Sequence, residues 1–196
     1  MKSVAKEQKN ILENTKKNIL ETARRLFSEF SYFGVSMNDI AKKLNITKAA
    51  LYYHFSGKRE IYIKVIDEVF NNLRLALSQA LKEKTTDKKF YKIIKNYLDF
   101  GLKEKNLIRV LMLKFPSKDA ELKKYIFRLR EGILDLAEPV VKKILAEKKK
   151  GKKIESRLTT SLLIGMIEGI LLEYSFFNKK IDSKKIAKQV FALIAN

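Results

Sequence analysis

Between residues 36 and 58 the chain reads SMNDIAKKLNITKAALYYHFSGK, and the punctuation of this stretch leaves the backbone few choices. Ser36 stands three residues ahead of Asp39, the spacing in which a hydroxyl and an acid satisfy each other's backbone N–H groups at a helix start. Ile40, Ala41 and Leu44 recur at helical spacing and give that helix one apolar side. Asn45 tolerates the left-handed backbone of a helix stop almost as well as glycine does. Ile46 is placed to plug the turn, and Thr47 to cap the next helix. Within Lys48–Phe55, Leu51 and Phe55 share a face at i, i+4, which turns Lys48, Ala49, Tyr52, Tyr53 and His54 outward. Cap, helix, short turn, cap, helix is the plan of a helix-turn-helix, whose second helix enters a DNA major groove.

The rest of the chain follows the same periodicity. Residues 1–10 read as a polar end, frayed or serving as a basic arm on a DNA backbone. A first helix is expected over Ile11–Phe30 and a long linker helix over Lys58–Lys84. Further helices are expected over Lys88–Lys105, with Thr86 as a cap, and over Leu107–Phe115, Lys118–Lys149, Ser156–Asn178 and Ser183–Ala195. Pro116-Ser117 marks a stop, and Pro139 inside a helical pattern predicts a kink near Glu138. KKKGKK around Gly151 reads as a solvated loop. With two prolines, seven glycines and no strand-like alternation, the expected fold is all-α. It divides into a head, residues 1–60, joined through the 58–84 helix to a body, residues 61–196.

Composition excludes more than it selects. With no cysteine and one histidine there is no disulfide, no thiolate nucleophile and no metal-ligand cluster; no Gly-rich phosphate loop is present either. An enzyme is therefore not expected, nor a cofactor. The first twenty residues lack an apolar signal core, and the run Leu162–Leu172 is broken by Glu168 and short for a bilayer. The expectation is a cytoplasmic protein with no membrane partner. The net charge of +20 asks for a polyanion. Residues 1–60 hold 12 basic against 6 acidic groups (+6) and the remainder 30 against 16 (+14), so the excess is spread along the chain and does not locate a site. Lysine-heavy codon usage in an AT-rich genome is an equally good account of much of it.

Residues 19–62, ILETARRLFSEFSYFGVSMNDIAKKLNITKAALYYHFSGKREIY, resemble the N-terminal DNA-binding domain of the TetR (tetracycline-repressor-like) transcriptional regulators. The likeness is carried by Ala23, Leu26 and Phe27, by Asp39-Ile40-Ala41, by Leu51-Tyr52 and His54-Phe55, and by Lys58. The family usually has glycine where Ser31 and Asn45 stand. Asn45 is a mild change; Ser31 suggests a reshaped turn, with Gly34 taking the permissive role. The resemblance implies a double-stranded operator as partner. Lys48 suits a guanine edge or a phosphate, and Ala49 is small enough to meet a thymine methyl. Tyr52, Tyr53 and His54 resemble positions that bond phosphate or sugar and fix the docking register. Ser36 and Asn38 match positions reaching the flanking backbone and one base, while Lys58 would add charge to a phosphate. Ser36 and Thr47 cap helices in any case, and Tyr52 and His54 also suit plain packing or bridging.

The resemblance further implies a homodimer joined through the last two helices. Physics points the same way, since a helix apolar on nearly every face cannot stand in water alone. Leu162, Gly165, Met166, Gly169, Leu172 and Phe176 are the expected contact residues, the glycines permitting close approach; the competing reading makes this helix the core of one subunit. A small-molecule effector, lipophilic or cationic, is implied among the body helices, with Phe90, Tyr97, Phe100, Phe115, Tyr125, Tyr174 and Glu168 as candidate liners. Glu168 suits a pocket acid, a partner for Lys or Arg across the dimer, or a rim position; pairing ranks first because buried charges are normally paired. The resulting expectation is a ligand-responsive dimeric repressor of a near-palindromic operator. The alternative is a sequence-indifferent basic DNA-compacting protein, with a steep salt slope and no preferred site.

Overall fold

The computed structural model describes residues 2–148, 154–177, 180 and 182–195. These form α1 (Lys2–Phe30), α2 (Met37–Leu44), α3 (Lys48–His54), α4 (Lys58–Ala80), α5 (Thr86–Lys103), α6 (Lys105–Leu113), α7 (Ala120–Lys148), α8 (Ser156–Phe177) and α9 (Ser183–Ala195). No strand occurs among the described residues, and the all-α expectation holds. Two local readings need correction. The helix starts at Lys2, so most of the stretch expected to fray continues α1, as its Lys, Glu, Gln and Ala content permits. The cap of α5 is Thr85, whose hydroxyl accepts from Lys88 N–H at 3.3 Å, while Thr86 Oγ1 donates to Glu147. Helix α7 runs through Pro139, the residue at which the kink is expected. The KKKGKK stretch from Lys148 on, and Asn178, lie outside the described residues apart from Lys148 itself, the last of α7.

The helices group into two compact units, and the division is not a single cut near residue 60. Met1–Glu68 with Val110–Lys123 make the first; Val69–Arg109 with Lys124–Asn196 make the second. An ion pair ties residues 110–123 to the head. Asp119 caps α7 by accepting from Leu122 N–H at 3.1 Å, and Arg59, in the first turn of α4, donates to Asp119 Oδ2 from Nε (3.0 Å) and Nη2 (2.8 Å).

The first unit packs Ile19, Ala23 and Phe27 of α1 against Ile40, Leu51, Ile61, Tyr62 and Ile66, all at most 2% exposed. Burying each such side chain contributes roughly 1.5–3 kcal/mol before conformational entropy is subtracted. Tyr62 meets Phe27 edge-on at 4.9 Å and Tyr32 at 4.8 Å. The turn after α1 is built differently from the sequence reading. Ser31 itself takes the left-handed conformation (φ 69°), and Gly34 is needed for room, since a Cβ there would sit 2.2 Å from the Phe30 carbonyl oxygen.

The second unit is built around α5, which contacts both α8 and α9. Phe90, Ile93, Ile94 and Leu98 of α5 bury against Ile133, Ala137, Val141 and Ile144 of α7, with Leu163, Ile164, Ile167 and Leu171 of α8 and Ala187 and Val190 of α9. Gly101 lets α5 and α8 close together, because a Cβ there would lie 2.1 Å from Leu171 Cδ1. Helix α8 is long and apolar enough to cross a bilayer by length and composition alone. Here its inner face is core, and Leu158, Leu162 and Phe176 remain more than half exposed on the other side.

Candidate nucleic-acid interface and effector region

The helix-turn-helix is fixed by local bonds. Ser36 Oγ accepts from Asp39 N–H at 3.2 Å while Asp39 Oδ2 accepts from Ser36 N–H at 2.8 Å and from its hydroxyl at 2.7 Å. Those bonds, the side-chain one first and the backbone one next, hold the Asp39 carboxyl below its ordinary pKa. At the other end of α2, Asn45 adopts φ 55°, its N–H donating to Lys42 O, and Ile46 N–H donates to Ala41 O at 3.1 Å. This paired closure is a Schellman motif, and asparagine serves in place of glycine. Ile46 is half-buried rather than a fully buried plug. Thr47 Oγ1 accepts from Ala50 N–H at 3.0 Å and starts α3.

From α3 only Leu51 is fully buried, and Phe55 behind it is 4% exposed. Lys48 and Ala49 are exposed, Tyr52 is 47% and Tyr53 76% exposed, and His54 is half-buried. Thus four large or charged side chains and one small one leave the same short helix away from the core. Lys48 Nζ lies 5.9 Å from the Tyr52 ring centre and makes no ion pair among the described residues. The rings of Tyr53 and His54 meet edge-on at 5.2 Å, and His54 Nδ1 is buried without a hydrogen-bond partner. Ser36, Asn38 and Thr47 are exposed at the starts of α2 and α3.

Lys58 turns the other way. Its Nζ donates to the Tyr32 carbonyl at 2.9 Å and lies 4.5 Å from the Tyr32 ring centre. Burial lowers its pKa, with the charge of Asp39 opposing. This lysine ties the start of α4 to the turn after α1. Arg59 beside it is tied to Asp119, whose carboxyl is held low first by the Leu122 N–H and then by Arg59. Neither tether was readable from spacing, because the partners lie 26 and 60 residues away.

In the second unit the candidate effector residues part company. Phe90 is fully buried against Phe191, with ring centres 5.6 Å apart, and is core. Phe100 is half-buried and borders a cleft of about 440 Å³ with Asn72, Gln79, Asn96 and Asp99. Phe115 belongs to the first unit. Tyr125 and Tyr174 are half-buried. Tyr97 and Glu168 are brought together: the Tyr97 hydroxyl donates to Glu168 Oε1 at 2.9 Å, and Arg130 Nη1 donates to the same oxygen at 2.6 Å. Burial, then the charge of Glu168, pushes the Tyr97 hydroxyl well above its ordinary pKa. Sequence ranked pairing first for Glu168; its cation is Arg130 of the same chain, three turns into α7. Of the expected dimer residues, Leu162, Gly165, Gly169 and Phe176 are exposed, and Met166 and Leu172 are half-buried. A Cβ at Gly165 or Gly169 would meet nothing within 4 Å.

The comparisons with known proteins cover both units. The family model described as "Bacterial regulatory proteins, tetR family" matches residues 19–65, and that described as "YsiA-like protein, C-terminal region" matches residues 61–196. The biofilm operon icaADBC HTH-type negative transcriptional regulator IcaR of Staphylococcus epidermidis is 48% identical over 56 residues, 29% of this chain and 30% of that protein. The match thus spans under a third of that relative's length. The transcriptional regulator FadR from Bacillus subtilis, solved with stearoyl-CoA, shares the fold with a TM-score of 0.78 at 18% identity, over 92% of this chain and 97% of that one. AibR, solved with isovaleryl coenzyme A and operator DNA, does so with a TM-score of 0.75 at 18% identity, over 91% and 97%.

Proposed function

The chain belongs to the tetR family of bacterial regulatory proteins, and we propose that it acts as a dimeric repressor that binds a near-palindromic operator and is released by a small effector with an apolar tail. The observation carrying this reading is the outward array on α3. Lys48, Ala49, Tyr52 and Tyr53 stand clear of the core on a helix whose two ends are fixed by caps. Lys48 supplies a charge unpaired among the described residues, Ala49 lets the helix sit deep, and the tyrosine hydroxyls and the His54 ring supply polar groups for the phosphate backbone. Ser36, Asn38 and Thr47 are placed to extend the backbone contacts. Lys58 contributes by holding α4 in place, its ammonium being committed to Tyr32.

Two copies would meet through α8 and α9. Leu158, Leu162, Gly165, Gly169 and Phe176 fall on one exposed stripe of α8, interrupted near its end by Glu173, and Leu193 is 72% exposed on α9. Covering such a stripe removes apolar area from water, and the bare glycines allow helix axes to approach closely. A pair of heads on a two-fold axis asks for two half-sites about 34–36 Å apart or somewhat more. The effector class draws on the fold neighbours solved with acyl-CoA ligands and on the aromatic content of the second unit. Binding-site selection from random duplex DNA tests the reading. Enrichment of an inverted repeat is expected; recovery of unselected sequence with a steep salt dependence would instead indicate indiscriminate DNA binding.

A further inference from the structure

We propose that Arg130 is the receptor for an anionic group on the effector, a carboxylate or a phosphate, and that Glu168 and Tyr97 hold it ready; this rests on the effector reading above. The three side chains come from α7, α8 and α5, and both hydrogen bonds converge on a single oxygen, Glu168 Oε1. Only Nη1 of Arg130 is used. Its Nη2 and Nε donate to no acceptor among the described residues, although the side chain is only 35% exposed, with Glu168 beneath it at 15%. The guanidinium nonetheless stays charged. Burial works against its charge, but the bond to Glu168 and the carboxylate's charge outweigh it and raise the pKa. A half-covered arginine with an idle edge is an incomplete fork, and a carboxylate or phosphate fits that edge with two parallel bonds.

The same geometry argues against a cationic effector. A cation would have to take the remaining oxygen of Glu168 against the repulsion of the adjacent guanidinium, or replace Arg130 and leave a partly buried arginine without its counter-ion. An anion needs no such exchange, because it adds to the free edge while Glu168 keeps Nη1 and the Tyr97 hydroxyl. The excess of 14 positive charges over residues 61–196, 30 basic against 16 acidic, favours an approaching anion. Glu168 is then a positioning residue. It aims the guanidinium and, being negative, also weakens the grip on an incoming anion.

The test uses the full chain, three probes with one tail (decanoate, decyl phosphate and decyltrimethylammonium, all below micelle formation) and two readouts, thermal melting shift and release of the selected operator. Decanoate or decyl phosphate should raise the melting temperature and release DNA, the stronger of the two identifying the head group, and the ammonium should do neither. Arg130→Gln should weaken the anion by at least about tenfold, the loss of a charged bidentate contact. Glu168→Gln should bind the same anion several-fold more tightly, a gain that a purely structural bridge would not give. The proposal is overturned if the ammonium is the probe that binds, if no probe binds, if Arg130→Gln binds anions like the wild type, or if Glu168→Gln binds them more weakly. Should Arg130→Gln fail to fold, the Glu168→Gln comparison still decides. Operator release by the ammonium would leave the repressor reading standing while removing this one; failure to select any operator would remove the repressor reading, and the melting shifts would still judge Arg130.

Discussion

Lys48 and Lys58 lie ten residues apart, the one opening α3 and the other opening α4, and they should behave in opposite ways when replaced by alanine. Lys48 is exposed, makes no ion pair among the described residues and sits at the edge of cation–π range from Tyr52. Its removal should therefore cost the isolated protein almost nothing. On DNA, each Lys48 would displace one condensed counterion, and a dimer carries two. The slope of log K against log salt should become shallower by about 2 × 0.9, or about 1.8. Across a fourfold rise in salt the wild type would then lose about twelvefold more affinity than the variant. Lys58 spends its charge inside the head, on the Tyr32 carbonyl at 2.9 Å and the ring beneath it. Lys58→Ala should leave the salt slope where it was. It should destabilise the head by about 1.5 kcal/mol, the low end for a charged hydrogen bond because the site is only partly buried. Fluorescence anisotropy on the selected operator at four salt concentrations, with thermal melting of each variant, gives both quantities. Equal flattening by the two substitutions would refute the division of roles, and an unchanged slope for Lys48→Ala would remove Lys48 from the DNA surface.

Further substitutions probe the scaffold. Thr47→Ala removes the cap of a seven-residue helix and should cost about 1 kcal/mol, seen as a lower melting temperature and weaker operator binding. Ser31→Gly should be close to neutral, since relief of left-handed strain is offset by greater freedom of the unfolded chain, whereas Gly34→Ala should cost about 2–3 kcal/mol because its Cβ meets backbone. Gly101→Ala should cost about 1–3 kcal/mol by pushing α8 from α5 at Leu171, read by denaturant unfolding. The carboxyls of Asp39 and Asp119 have folded pKa values below their unfolded ones, so their contribution is complete above the ordinary carboxylate value and is lost as pH falls through the folded value. Asp119→Asn should accordingly make unfolding less pH-dependent below about pH 4 in an acid titration.

What could be read without coordinates was whatever a few neighbouring residues decide. The Ser36–Asp39 box, the Asn45 stop and the Thr47 cap each act within four residues, and each stands as the sequence implied. The turn after α1 was half legible. A missing glycine signalled an unusual backbone, but which of Ser31 and Gly34 carried the left-handed angle depended on how close Phe30 comes. The tethers were invisible because nothing at Lys58 or Arg59 announces partners at Tyr32 or Asp119. For the same reason the boundary between units could not be drawn by a single cut. Glu168 was conspicuous as an acid in an apolar run; Arg130, one of 42 basic residues, was not.

That last asymmetry bears on how charge works in a chain this basic. A net +20 says only that polyanions are attracted. What assigns roles is which cations are already spent. Arg24 is paired with Glu68, Lys58 with a carbonyl, Arg59 with Asp119, and Arg157 with Glu131, Asp135 and Glu138. Each of these fixes one element to another and adds little to the reach of the surface. Lys48 is unspent and stands on the helix whose other outward residues are donors. Arg130 is half spent, with one nitrogen engaged and two idle. Pairing therefore marks the scaffold cations on geometric grounds, whereas Lys48 and Arg130 are proposed for DNA and ligand because of where they stand, on α3 and beside Glu168, and the count of positive charges treats all 42 alike.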